Sequence, residues 1–118
     1  MWCRSRGWLN RAMNDLTARL VALAAAGQTI TYGTLARDLG LRIAALTAAL
    51  EAMMAADLVA GRPLLASVCA GKLTGLAPAE GFFIKALELG LDVADRAAFV
   101  QRQRAALRAL YGGDTPAP

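Results

Sequence analysis

Histidine is absent from this sequence of 118 residues. A Ser/His/Asp triad, a Cys/His nucleophile pair and a metal site built on imidazole all need that side chain. These three kinds of site are therefore excluded. The sequence contains no other catalytic constellation, so we expect a protein that is not an enzyme and that uses no metal and no cofactor.

Cysteine is scarce as well, with only Cys3 and Cys69. One lies near the N-terminus and the other in an apolar run, which is not the framework of a disulfide-stapled secreted domain. We expect both thiols to be reduced and the protein to be cytoplasmic. Cys69 is interpreted as a small buried hydrophobic residue. The alternative is a thiol-dependent enzyme that uses Cys69.

Aromatic residues make up only 6% of the chain, although 57% of it is hydrophobic. Much of that hydrophobic fraction is alanine, so the core has to come from aliphatic residues on helices. The longest uncharged run, residues 20–36, contains glycine, glutamine and threonine and is not expected to span a membrane. Nearer the N-terminus, Asp15 and Arg19 interrupt the apolar pattern, which indicates an amphipathic helix instead of a signal peptide.

Apolar residues recur at helical spacing before Gly27. They predict a first helix over residues 7–26, with Gly27 as its stop. The next stretch, residues 28–54, has the pattern of a helix-turn-helix. In this pattern a short strand at residues 28–30 leads into two helical segments.

Thr31 is placed to cap the second helix, which Gly40 ends. The third helix is predicted over residues 42–56, where alanines raise the helix propensity. Its predicted core positions are apolar residues at helical spacing: Ile43, Leu46, Leu50, Met53 and Met54.

After a break at residues 61–63, residues 64–69 have the composition of a strand. A turn at residues 71–75 and a return strand would complete a hairpin, the wing. The sequence therefore predicts a mainly α fold with a small β-hairpin, a winged helix-turn-helix with extra N- and C-terminal helices.

Two further helices follow this hairpin in the prediction. The fourth covers residues 79–89, and the fifth opens where Asp92 is followed three residues later by Asp95, because their negative charge favours a helix N-terminus. Residues 1–111 are predicted to form a single domain. Residues 112–118 are rich in glycine and proline and are predicted to be a disordered tail.

The net charge of +4 is unevenly distributed. Residues 1–19 and residues 95–111 each carry +3, whereas residues 28–92, which include the helix-turn-helix, carry −1. Duplex binding draws its affinity from cations opposite phosphates. If the first and fifth helices pack side by side, their arginines form one basic face. The alternative is two solvated helix surfaces.

The segment GQTITYGTLA, residues 27–36, is followed by a Gly-terminated helix, an Ala-rich helix and the dipeptide Arg62-Pro63. In this order, residues 27–76 resemble the C-terminal winged-helix domain of alkylguanine-DNA alkyltransferases and alkyltransferase-like proteins. The resemblance implies that the third helix enters the minor groove of DNA and that Tyr32 assists nucleotide flipping.

The catalytic motif of that family is missing. The family nucleophile lies in a Pro-Cys-His-Arg strand, whereas here Pro63 is followed by Leu-Leu-Ala. Cys69 lies further on and has no histidine to activate it, so alkyl transfer is not expected. The arginine that the family inserts into the base stack has no equivalent, and Arg42 can substitute only from the helix start.

A second pattern extends further along the chain: ITYGxLA at residues 30–36, GRPLL at residues 61–65 and GFF at residues 81–83. It resembles a family of small uncharacterised bacterial proteins. This resemblance implies a shared fold and no particular activity.

Candidate nucleic-acid contacts come from helix starts, the expected wing and the last helix. They are Tyr32, Arg42, Lys72, Arg104 and Arg108. The hydroxyl of Tyr32 can reach a phosphate, or the ring can pack against the third helix. For Arg42 and Lys72 the alternative to a phosphate or base contact is a solvated charge.

Candidate partner contacts lie in the N-terminal segment, at Trp2, Arg4 and Arg6. Tryptophan and arginine dominate the energetics of protein interfaces. A tryptophan at this place can also close one end of the core.

Two functions are open on this sequence. The first is a non-enzymatic winged-helix protein that binds duplex DNA as a regulator or accessory factor. The alternative is a protein–protein interaction module or small inhibitor that docks on a larger partner or forms a homodimer, through the small-residue surface of the third helix or through the segment of Trp2, Arg4 and Arg6. The acidic balance of residues 28–92 favours the alternative.

Overall fold

The computed structural model of the chain describes residues 2–72 and 77–112, and the side chains in these ranges except those of residues 2–10 and 12. Within this part the chain forms five α-helices, one 3-10 helix and two short strands. The elements are α1 (Trp2–Ala26), β1 (Ile30–Thr31), α2 (Tyr32–Leu39), α3 (Ile43–Ala60), the 3-10 helix (Leu65–Val68), β2 (Cys69–Ala70), α4 (Glu80–Glu88) and α5 (Arg96–Tyr111).

The prediction of a mainly helical fold with a small β element is confirmed. Two helices, α2 and α3, lie where the helix-turn-helix was predicted, and Thr31 caps α2 by accepting a hydrogen bond from Thr34 N at 3.3 Å. Asp95 caps α5 in the same way, through a 3.1 Å bond from Ala98 N. Both caps satisfy backbone donors that the helix itself leaves open.

The third helix is longer than predicted, since α3 continues to Ala60. It ends where Gly61 takes a left-handed conformation with φ of 73°. There Arg62 N donates to Asp57 O at 2.8 Å, the wider bond of a Schellman motif. The extra turn places Asp57 inside the fold.

The strand predicted over residues 64–69 is wrong for most of its length, because Leu65–Val68 is a 3-10 helix. Only Cys69 and Ala70 are extended, and they pair in parallel with Ile30 and Thr31. The described strands are separated by α2 and α3, so they are not the arms of the predicted hairpin. The return strand of the predicted wing falls on residues 73–76, outside the described residues.

The segment from Leu64 to Gly71, here called the central segment, is buried along its whole length. A buried backbone has to find hydrogen-bond partners within the protein. Leu64 N donates to the side chain of Gln103 at 2.8 Å, and Arg104 Nε donates to Ser67 O at 2.7 Å. Two side chains of α5 thus hold Leu64 and Ser67, the part of the segment that precedes the β ladder of Cys69 and Ala70.

Asp57 holds the same segment from α3. Its carboxylate is 3% exposed and accepts from Leu65 N at 3.1 Å. The other carboxylate oxygen accepts from Arg62 Nε at 3.2 Å, so the buried charge is also paired. Both oxygens are satisfied, which is what a buried carboxylate requires.

The core lies where α1, α3, α4 and α5 surround the central segment. α1 and α5 pack side by side, which is the condition under which their arginines were expected to form one basic face. Ile43, a predicted core position of the third helix, is instead exposed, and so are Leu87 and Leu110. Ile43 is the first residue of α3 and Leu110 lies in the last turn of α5, so neither has a neighbouring turn that would cover it.

Length and composition alone would let one described helix, α3, cross a membrane, with a mean hydropathy of 1.7 over Ile43–Ala60. In the fold, α3 packs against α2, α4 and the 3-10 helix. Leu46, Leu50 and Met54 are buried in these contacts. Even so, only 28% of this 18-residue window is buried within the fold.

Candidate functional site

Tyr32, the first residue of α2, is half-buried, and its hydroxyl accepts a hydrogen bond from Ala79 N at 3.1 Å. Ala79 is the N-cap residue that immediately precedes α4. Leu50 and Met54 of α3 border the same small cavity as Tyr32, about 30 Å³ in volume. The predicted alternative of packing against the third helix is therefore present in the structure.

Burial raises the pKa of Tyr32 to about 12, although the hydrogen bond from Ala79 acts in the opposite direction. The phenol is therefore neutral at physiological pH and keeps its proton. A hydroxyl that accepts one bond can still donate one. Tyr32 thus combines a structural contact with one remaining donor.

Arg42 and Lys72, the two other candidates in this half of the chain, are exposed. Arg42 immediately precedes α3 and makes no side-chain capping bond. Neither residue forms an ion pair with any other described side chain. Both are placed as solvated charges that can meet an anionic surface.

Arg104 has a structural contact, in contrast to these two. It is half-buried, and its bond to Ser67 O ties α5 to the central segment. Burial lowers the pKa of its guanidinium, because desolvation disfavours the charged form. An anion placed nearby would stabilise this charge.

Arg108, one helical turn further along α5, lies over the C-terminal end of α1. A Cβ atom on Gly27 would lie 2.6 Å from its Nη1 atom, so the guanidinium is close to this backbone. The C-terminal end of a helix carries partial negative charge and favours a cation there. The absence of a side chain at Gly27 leaves room for this contact.

Arg104 and Arg108 also border a cavity of about 950 Å³, here called the α5 groove. Its lining consists of Arg96, Ala97, Val100, Gln101, Arg104, Ala105 and Arg108 from α5, with Gly27, Ala77, Pro78, Glu80 and Phe83 opposite. Most of these residues are apolar. Tyr32, Arg42 and Lys72 do not line it, so only two of the five predicted nucleic-acid contacts border this groove.

At one end of the groove, Arg96 and Glu80 neutralise each other. Arg96 Nη1 and Nη2 donate to the two carboxylate oxygens at 2.5 and 2.7 Å. The guanidinium also lies 4.6 Å from the centre of the Phe83 ring. The hydrogen bonds from Arg96 lower the pKa of Glu80. This end of the groove therefore has little net charge.

The outer side of α3 is the second unusual surface. We define it as the residues of α3 that are exposed: Ile43, Ala44, Ala45, Thr47, Ala48, Ala52, Ala56, Leu58, Val59 and Ala60. None of them is charged, and Thr47 is the only polar one. Val59 is 89% exposed and Ile43 is 52% exposed. In a helix-turn-helix protein that reads DNA, the second helix of the motif, which corresponds to α3 here, would carry the base contacts.

The Cys69 thiol is fully buried. Burial raises its pKa to about 12, and the charge of Arg104 offsets only part of this effect. A thiol must ionise to act as a nucleophile or a metal ligand. Its environment is that of a small buried hydrophobic residue, and in the described ranges no cluster of three His, Cys, Asp or Glu could hold a metal ion.

The candidate partner residues Trp2, Arg4 and Arg6 belong to the first two turns of α1. The helix therefore begins before the predicted residue 7. Their side chains lie outside the described part of the structure. Their predicted role stays a prediction.

The α5 groove was not identified by sequence reasoning, whereas the sequence already predicted a docking surface of small residues on the third helix. A signal for the groove exists, since Arg96, Val100, Arg104 and Arg108 recur every four residues and so share one face of a helix. For α3 the signal is the lack of charge between Arg42 and Glu51.

Comparison of the chain with protein-family models, with curated proteins and with solved structures gave no match.

Proposed function

We propose that the protein is a non-enzymatic binding protein that docks on another protein through the outer side of α3. The partner is a larger protein or a second copy of the chain. One observation carries this proposal. Every exposed residue of α3 is uncharged, and Val59 and Ile43 expose large apolar side chains.

The chemistry of this surface favours protein over DNA. A protein that binds DNA draws affinity from cations and reads bases with hydrogen-bonding side chains. The outer side of α3 has no cation and a single hydroxyl, that of Thr47. The centres of protein interfaces are depleted of charge in the same way. A surface of this composition makes more favourable contacts with apolar side chains than with phosphates.

Duplex DNA is the second candidate, because Arg42 and Lys72 are exposed and form no ion pair within the described ranges. Arg42 stands at the entry to α3, where a phosphate contact is expected in a winged helix. On this hypothesis the protein is an accessory factor with salt-sensitive affinity. The sequence resemblance to alkyltransferase-like proteins supports this candidate.

The absence of enzymatic activity and the cytoplasmic location belong to the same proposal. The buried thiol of Cys69, with its raised pKa of about 12, is unsuited to nucleophilic attack at neutral pH. Its free state fits a reducing compartment, where disulfides are rare.

The substitution Ala48→Lys separates the two candidates. Ala48 is exposed in the middle of α3, and lysine is a good helix former, so the variant should fold. A new cation at this place strengthens binding to duplex DNA but disrupts an apolar protein interface. Ala106→Lys, at an exposed position of α5 outside the groove, adds the same charge and serves as the control.

Two measurements are made on wild type and both variants. One is capture of proteins from nuclease-treated cell extract, and the other is titration with duplex DNA at low salt. A protein that wild type and Ala106→Lys retain, but Ala48→Lys loses, is the expected result. Equal capture by all three, together with tighter DNA binding by Ala48→Lys, would contradict the proposal and favour DNA.

A further inference from the structure

We propose that the α5 groove binds a small amphiphilic carboxylate, an acyl-chain anion whose chain lies along Ala97 and Ala105 and whose carboxylate meets Arg108 and Arg104. This site is separate from the outer side of α3. It does not depend on which macromolecule α3 contacts.

The size and lining of the groove suit a small molecule. Its volume of about 950 Å³ falls within the range of roughly 300–1,000 Å³ that is usual for small-molecule sites. Such sites are mostly apolar, with a few polar groups that fix the orientation of the ligand. The exposed apolar surface comes from Ala97 and Ala105, while Phe83, Val100 and Pro78 line the groove as buried residues.

The charges of the groove are segregated along its length. Glu80 and Arg96 form a bidentate pair at one end, so their charges cancel there. Arg104 and Arg108 line the other end, and Arg96 and Arg108 are about 18 Å apart along the helix axis at 1.5 Å per residue. An apolar chain with one anionic end matches this polarity in one orientation.

Arg104, at the basic end of the groove, is held in position before any ligand arrives. Arg104 is fixed by its 2.7 Å bond to Ser67 O, and Arg108 lies over Gly27 at the end of α1. Preorganised donors lose less conformational entropy when a ligand binds. The half-buried guanidinium of Arg104 would also regain part of the solvation that burial removes.

An apolar chain and an anionic group are both needed to match the groove, which gives the proposal three distinguishable probes. Dodecanoate has both features, dodecanol has only the chain, and acetate has only the charge. Isothermal titration calorimetry of the full chain, below the micelle concentration, compares them. We expect dodecanoate to bind at least about 10-fold more tightly than either of the others, since one charged hydrogen bond corresponds to roughly that factor.

Substitutions at two arginines of α5 test the carboxylate contact. Arg108→Gln should weaken dodecanoate binding about 10-fold and leave dodecanol unchanged. Arg102→Gln removes the same charge from an exposed position outside the groove and should change neither. Arg108→Lys keeps the charge and should retain most of the affinity. Circular dichroism and urea unfolding verify that each variant is folded.

A substitution at a third position tests where the acyl chain of dodecanoate lies. Ala105 is exposed and lines the groove, so Ala105→Trp fills it without disturbing the core, and we expect binding of dodecanoate to be lost. Three outcomes would overturn the proposal. They are no dodecanoate binding by wild type up to about 1 mM, equal losses with Arg102→Gln and Arg108→Gln, or unchanged binding by folded Ala105→Trp.

Discussion

Asp57 and Val59 lie two residues apart on α3, yet the aspartate is 3% exposed and the valine 89%. Around Asp57, charged and polar side chains are inside the protein and hold the backbone of the central segment. On the outer side of α3, apolar side chains are in water and contact nothing within the described ranges that would bury them. The usual placement of side chains is reversed in both regions.

The surroundings of Asp57 contribute to the stability of the fold, whereas the outer side of α3 is available for binding. A buried carboxylate with two satisfied oxygens stabilises the fold as long as its partners remain. An apolar side chain that is exposed contributes almost nothing to stability, because burial is the source of its free energy. The outer side of α3 can therefore change without loss of the fold, whereas the surroundings of Asp57 cannot.

The largest effect is expected for Asp57→Ala. It leaves Leu65 N without an acceptor in a buried position and leaves Arg62 without its partner. We expect a loss of about 3 kcal/mol in the free energy of unfolding, measured by urea denaturation. Asp38→Ala breaks the exposed pair with Arg19, whose side chains are 38% and 40% exposed, and serves as control. It should cost less than about 1 kcal/mol. Equal losses of stability for Asp57→Ala and Asp38→Ala would show that burial of the Asp57 carboxylate makes no difference.

Alkaline pH should produce the next largest effect. The pKa of Cys69 is raised to about 12 from 9.0, so the folded state holds a proton that the unfolded state releases. Stability is therefore complete below pH 9 and falls as pH rises toward 12, by about 2 kcal/mol between pH 9 and pH 10.5. Tyr32, whose pKa is raised to about 12, adds a smaller loss above pH 10.

This pH dependence is measured by urea unfolding of wild type and Cys69→Ala. The variant is less stable at pH 7 but should lose stability less steeply between pH 9 and 10.5. Parallel curves for the two proteins would show that the Cys69 thiol is not protected by burial.

A smaller effect is expected for Tyr32→Phe, which keeps the ring and removes the acceptor of the bond from Ala79 N. The loss should be about 1 kcal/mol, the usual net value of one hydrogen bond. Binding to a protein partner should be unchanged in the folded variant, because Tyr32 lies outside the outer side of α3. A stability unchanged within error, with loss of DNA binding, would instead assign the hydroxyl to phosphate contact.

The smallest change in stability is expected on the outer side of α3. Ala48→Lys should alter the free energy of unfolding by less than about 0.5 kcal/mol, as is usual for exposed positions. The same variant should lose its protein partner. A large loss of stability would mean that this surface is covered within the protein itself.

The extent to which the sequence predicts this molecule depends on the distance over which each signal acts. The caps Thr31 and Asp95 and the stop at Gly40 follow from contacts within a few residues, so local patterns reveal them. The partners of the central segment lie far away, since Gln103 and Leu64 are separated by 39 positions. No local pattern encodes such a bond.

The errors have equally specific causes. A run of buried apolar residues can be read as a strand or as a buried helix, since the period is invisible when every position is apolar. This explains why the sequence predicts a strand where Leu65–Val68 forms a 3-10 helix. Ile43 fits the helical period of the core positions but lies at the end of α3, where no neighbour covers it. Composition alone does not place the α5 groove, because the groove depends on how α5 meets the entry to α4.

The central claim, that the outer side of α3 is a protein-binding surface, is tested most directly by photo-crosslinking in cells. A benzophenone amino acid is placed at position 59 and, as control, at position 106, both of which are exposed. We expect a discrete protein adduct from position 59 only. The adduct forms either with a larger protein or with a second copy of the chain, at twice the chain mass of 12.4 kDa. Equal adducts from both positions, or none from position 59, would contradict it.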